Sequence, residues 1–136
     1  EDLHKAMEQI RHERAVALGK SVWENRSSLN GIQFVQLRGI YVPEMIKDVA
    51  FSFREGNFDN MAFAAAYEHG GKANLTLLLS RDLVSDGLNA AEIIRKASRH
   101  IGGGGGGQDF YATAGGKDPG GLQAAMDTIA EALKNH

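Results

Sequence analysis

A chain of 136 residues with a formal net charge of −2, 43% hydrophobic and 24% charged residues, has the size and composition of one soluble globular domain. It has no cysteine, which excludes a disulfide framework and a thiolate metal site, and its charge confines any polyanion binding to a local patch. No apolar run approaches the ~18 residues of a membrane span and no signal-peptide pattern opens the chain, so a cytoplasmic protein without membrane contact is expected.

The chain opens on Glu1 and enters helical sequence at once, which gives the expectation of a piece of a longer protein. Residues 1–26 predict an amphipathic helix, with Leu3, Met7, Ile10, Leu18 and Val22 recurring near helical spacing among charges of both signs. "NRSSLNG" breaks that pattern with polar turn formers, and the only subdomain division expected falls here, between 1–28 and 29–136. "IQFVQLRGIYV" (32–42) reads as a strand. Pro43 then suits a first helical turn, and Ile46, Val49, Ala50 and Phe53 make a stripe that Gly56 ends. "MAFAAAYE" and "NLTLLLS" read as two strands joined by a glycine-containing hairpin loop.

Ser80, Arg81, Asp82, Ser85 and Asp86 follow the second of these strands and read as turn formers and caps ahead of any catalytic role. A helix over 90–101 buries Ile93, Ile94, Ala97 and Ile101 and leads into a run of six glycines, 102–107. Ten of the chain's 17 glycines lie between 101 and 121. Each costs roughly 0.5–1 kcal/mol relative to alanine when ordered, so the run needs a reason. "DFYATA" reads as a short strand after this loop, Asp118 and Pro119 as the start of a helix, and Leu122, Met126, Ile129 and Leu133 as its buried side. The elements predict an α/β (α+β) domain, helices packed on a small mixed sheet and preceded by a long N-terminal helix.

Catalytic signatures are absent. A glycine run satisfies G-x-G-x-x-G trivially, and this one follows a helix where the dinucleotide fingerprint follows a strand. "GGKD" lacks the remainder of a P-loop, and the histidines at 4, 12, 69, 100 and 136 have no metal-ligand spacing. No carboxylate set suits two-metal chemistry. No catalytic residue, metal or cofactor is therefore assigned within the chain. What stands out is cationic: Arg95, Lys96 and Arg99 lie opposite the apolar face of the 90–101 helix, beside His100. Dipole stabilisation and pairing with Glu92 explain them as a solvated face. Their position before a side-chain-free loop, with Lys117 beyond it and the backbone N–H groups near Gly115 and Gly116, also suits anion binding.

"HIGGGGGGQDFYATAGGKDPGGL", with "SRDLVSDGLNAAEIIRKASR" before it, resembles the DHH-associated C-terminal domain of alanyl-tRNA synthetases. The resemblance also takes in residues 1–26, as part of a helical subdomain that precedes this domain in the family. It departs from the family pattern in the spacer: Gln108 stands where a basic residue is frequent, and Phe110 where an acidic one is, leaving Phe110 and Tyr111 as core candidates. The resemblance implies a module that is not itself catalytic. It would contact the outer corner of tRNA(Ala) and help couple aminoacylation with editing. With tRNA as the ligand, the cations and glycines read above give the expected contacts: Arg95, Lys96 and Arg99, Gly103, Gly104, Gly105, Gly106 and Gly107, and Gly115, Gly116 and Lys117. The implied partners are tRNA(Ala) and the upstream aminoacylation and editing domains, with ATP, Mg and Zn used there, and a homodimer through the helical part in some members. Two other readings stay open: the substrate-binding domain of a DHH-family oligonucleotide phosphoesterase, and a dimerisation module that binds no nucleic acid.

Overall fold

The computed structural model describes residues 2–56 and 58–135, apart from the side chains of Asp2 and His4; His4 and His136, two of the scattered histidines, thus lie outside the described side chains. Helix α1 (Asp2–Glu24) leads into a hairpin of β1 (Ser27–Leu29) and β2 (Ile32–Ile40). Its turn is Asn30–Gly31, with φ of 53° and 83°, the double left-handed geometry that a two-residue hairpin requires. The stretch read as turn formers thus contains a strand, β1, across the 28/29 position.

Helix α2 (Pro43–Glu55) carries the chain back to β3 (Met61–His69), which pairs parallel to β2. Strand β4 (Lys72–Leu79) follows through the Gly70–Gly71 turn. A short helix, α3 (Arg81–Ser85), then occupies the segment read as turn residues, and α4 (Ala90–Ser98) ends in a 3-10 turn, Arg99–Ile101. Next come β5 (Gly103–Gly107), β6 (Tyr111–Gly116), a 3-10 turn over Pro119–Gly121, and α5 (Leu122–Lys134). The Asp118 cap anticipated from the sequence forms on the 3-10 turn, accepting from the Gly120 N–H, and Asn89, which the sequence reading did not single out, caps α4 by accepting from the Glu92 N–H.

The six strands lie in the order β1-β2-β3-β4-β6-β5, antiparallel except for β2 and β3, so the sheet is mixed as expected. Side chains alternate between faces along each strand. On one face, Ala62, Ala64, Ala66, Leu75, Leu77, Ala112 and Ala114 pack against α4 and α5. On the other, Val35, Leu37, Phe63, Ala65 and Tyr67 pack against α2 and, beyond it, α1. All four residues of the α2 stripe are buried, as are Leu122, Met126, Ile129 and Leu133 of α5.

Helix α1 departs from its expected face. Leu3, Met7 and Ile10 are 74%, 61% and 48% exposed, and burial shifts to Ala15 with partial cover for Leu18, Val22 and Trp23. The reason is length. The Arg11–Asp48 ion pair (3.0 Å), the approach of Gly19 to Ser52 and the Trp23–Phe58 ring contact (4.6 Å) show α1 and α2 advancing together. With 23 residues against 13, α1 overhangs the start of α2 by its first two turns or so.

Candidate nucleic-acid interface

The glycines 103–107 are a strand, not the loop that the sequence predicts. Gly102, with φ of 64°, closes the 3-10 turn after α4, and β5 then forms the edge of the sheet beside β6. The pairing separates the glycines into two sets. A Cβ on Gly103, Gly105 or Gly107 would strike β6: the Gly115 carbonyl, the Thr113 carbonyl, and the Tyr111 carbonyl at 2.5 Å, respectively. A Cβ on Gly104 or Gly106 would meet nothing within 4 Å. Close approach of β5 to β6 accounts for the first set, and nothing in the domain's own packing accounts for the second.

Gly104 and Gly106 pair with Gly115 and Thr113 and share their face, the one opposite α4. There α2 covers β2 and β3 but leaves β4, β6 and β5 open as a groove of about 550 Å³ at its middle. One wall is the side of α2, presenting Lys47, Phe51 and Arg54 at helical spacing; the floor is Tyr67, Asn74, Thr76, Tyr111 and Thr113; the far lip is the glycine strand. The groove continues past Lys72 and Lys117 at one end and past Gln108 and Phe110 at the other. Among the described residues that line it, four are cationic (Lys47, Arg54, Lys72, Lys117) and none is acidic.

Aromatic rings alternate with these cations. The Lys47 ammonium lies 5.5 Å from the Phe51 ring and the Arg54 guanidinium 4.4 Å from the Phe110 ring, while Phe51 and Tyr111 are 5.7 Å apart. Burial raises the Tyr67 pKa, with the Tyr111 phenol and the Glu44 carboxylate adding to it and a hydrogen bond to Thr76 opposing; burial alone raises that of Tyr111. Both phenols keep their protons at neutral pH and remain available as donors. A row of cations and phenyl rings beside an edge strand with open N–H groups is suited to a phosphodiester backbone and its bases.

The structure brings Gly104, Gly105, Gly106, Gly115 and Lys117 to this groove. Gly103 and Gly107 line its two ends, and Gly116 sits beside Lys117, where a Cβ would strike the Ile101 carbonyl. Gly115 and Gly116 lie in β6 between two neighbouring strands, so their backbone groups face ladders instead of forming an anion nest. Arg95 and Lys96 on α4 and Arg99 in the 3-10 turn after it are exposed, and the sheet stands between them and the groove. Phe110 and Tyr111 are half-buried against the α2-side core, in keeping with their reading as core candidates. Ser80 and Asp82 tie the start of α3 to the start of β3: the Ser80 hydroxyl accepts from the Met61 N–H and donates to Asp82, which also accepts from the Asn60 N–H, while no side chain caps α3 at Ser80. Sequence reasoning missed Lys47, Arg54, Lys72, Tyr67 and Asn74. A signal existed in the i, i+4, i+7 spacing of Lys47, Phe51 and Arg54 beside the buried stripe.

Residues 32–135 match the family described as the DHHA1 domain. The chain is 37% identical over 132 residues to an alanine–tRNA ligase of Parabacteroides distasonis, covering 97% of this chain and 15% of that protein. It is 40% identical over 128 residues to the enzyme of Porphyromonas gingivalis, covering 93% and 15%. It thus spans about 15% of the length of these curated relatives. Among solved structures, the C-Ala domain of Aquifex aeolicus alanyl-tRNA synthetase superposes with a TM-score of 0.71 at 25% identity, over 80% of this chain and 97% of that one. With the family match extending from β2 to the end of α5 and the glycine strand inside it, the chain belongs to the DHHA1 domain family.

Proposed function

We propose that this chain is the tRNA-binding C-terminal module of an alanine–tRNA ligase, and that the tRNA backbone lies in the groove between α2 and the glycine strand. Gly104 and Gly106 carry the reading: they face open space on the lip of a cationic groove, where the fold itself tolerates a side chain. Each such glycine lowers the stability of a strand by roughly 0.5–1 kcal/mol against alanine, and a ligand that needs the room supplies the missing reason. The similarity to alanine–tRNA ligases over 97% and 93% of the chain supports tRNA as that ligand.

In this reading the module contacts the outer corner of tRNA(Ala), with aminoacylation and editing carried out by upstream domains of the same enzyme. Holding one tRNA for both is the module's contribution. Arg95, Lys96 and Arg99, on the far side of the sheet, form a second cationic surface whose part in binding is separable from the groove's. The test is binding of a tRNA(Ala) transcript to the chain and to a Gly104→Val, Gly106→Val variant. The reading expects a folded variant with at least tenfold weaker binding. Unchanged binding by a folded variant overturns it.

A further inference from the structure

Beyond the Arg54 end of the groove, a separate pocket of about 360 Å³ opens between the end of α2, α3 and the turn from β5 to β6. It shares Arg54 and Phe110 with the groove, so the two adjoin across this pair. Its interior is apolar: Phe53, Phe58 and Phe110 with Met61, Leu78 and Val84. Phe53 and Phe58 meet at 5.5 Å and 69°, an edge-to-face pair, and Phe110 has the Arg54 guanidinium 4.4 Å from its ring centre. The charged groups at the mouth are Arg54, Arg81 and Asp109. Asp82 nearby is already engaged by Ser80 and Asn60.

We propose that this pocket is a socket for one unstacked nucleobase of the RNA that occupies the groove. The proposal rests on the groove reading and extends it from the sugar-phosphate path to a base. Three observations favour a nucleotide over an apolar peptide side chain. The pocket adjoins a groove lined with four cations and no carboxylate. Two arginines against one aspartate at its mouth complement the phosphates on either side of a base. Phenyl walls take the flat face of any base by stacking, and a guanidinium beside a ring extends the stacking surface.

The experiment titrates AMP into the chain and follows backbone amide and aromatic NMR signals. The proposal expects saturable shifts centred on Val84, Asp109 and Phe110, absent with inorganic phosphate at the same concentration. Val84→Trp, which fills the pocket, should abolish the AMP shifts and weaken tRNA(Ala) binding about tenfold, the worth of one stacked base, with the salt slope unchanged. Arg81→Ala, on the exposed rim, should weaken AMP binding and supplies a second variant should the tryptophan prevent folding. In the Gly104→Val, Gly106→Val variant, AMP should still enter the socket while tRNA binding falls, so the two readings fail separately. The socket is overturned by AMP shifts that are absent or lie elsewhere, by equal shifts from inorganic phosphate, or by a folded Val84→Trp variant that binds tRNA normally. Saturation of the same signals by N-acetylphenylalanine amide without competition from AMP would likewise overturn it.

Discussion

Gly105 faces Ala114 across the β5–β6 ladder so closely that a Cβ on Gly105 would stand 2.5 Å from that of Ala114. One residue earlier, Gly104 faces Gly115 with open space above it. The contrast between neighbours turns one glycine run into an internal control. Gly105→Ala should destabilise by about 1–3 kcal/mol through overpacking, several degrees in melting temperature. Gly104→Ala should leave the melting temperature unchanged or raise it slightly, because it removes backbone entropy from the unfolded chain. Calorimetry on the two variants decides; equal losses at both positions would contradict the assignment.

The anchoring of α4 beneath the glycine strand gives a second expectation. Asn89 accepts from the Glu92 N–H at 3.1 Å, one of the orphan donors of the first turn. Asn89→Ala should lower stability by about 1 kcal/mol, read as a lower urea midpoint at constant m-value. A shift below the error of the midpoint would show that water replaces this cap at no cost.

Asp82 makes stability depend on pH. Its partial burial acts to raise its pKa, but hydrogen bonds from the Ser80 hydroxyl (2.6 Å) and the Asn60 N–H (3.0 Å), with backbone N–H groups of α3, outweigh it and hold the pKa below 3.8. A carboxylate whose folded pKa is depressed contributes stability that is fully present above the unfolded value. That contribution is lost as pH falls from 3.8 through the lower folded value. Asp82→Asn should therefore lower stability at pH 6 and flatten its decline between pH 4 and 2.5. Chemical denaturation of both proteins across that range is the measurement, and parallel pH profiles would remove Asp82 as a cause.

Most of the frame was legible in the sequence because its signals are local. The α2 and α5 stripes, the Gly70–Gly71 hairpin and the Asp118 cap each depend on a few neighbouring residues. The glycine strand was not legible, since β5 has no side chains to alternate and is a strand only by virtue of its ladder with β6. Likewise β1 is three residues long and exists through pairing with β2. The groove was harder still. Lys47, Lys72 and Lys117 come from three segments far apart in sequence, and the crossover of α2 together with the β4-β6-β5 order places them on one face. By contrast, Arg95, Lys96 and Arg99 are adjacent in sequence and therefore conspicuous, yet they sit behind the sheet.

The central claim, that RNA follows the groove, is tested most directly by the salt dependence of tRNA(Ala) binding. Two triple-alanine variants are compared with the parent chain, one at Lys47, Arg54 and Lys72 and the other at Arg95, Lys96 and Arg99. Each phosphate-contacting cation removed should reduce the slope of log affinity against log salt by about one unit. The account predicts a slope lower by about three for the groove variant and a nearly parental slope for the α4 variant, with both folded by circular dichroism. The reverse pattern, with the slope lost on α4 and kept in the groove, would contradict it.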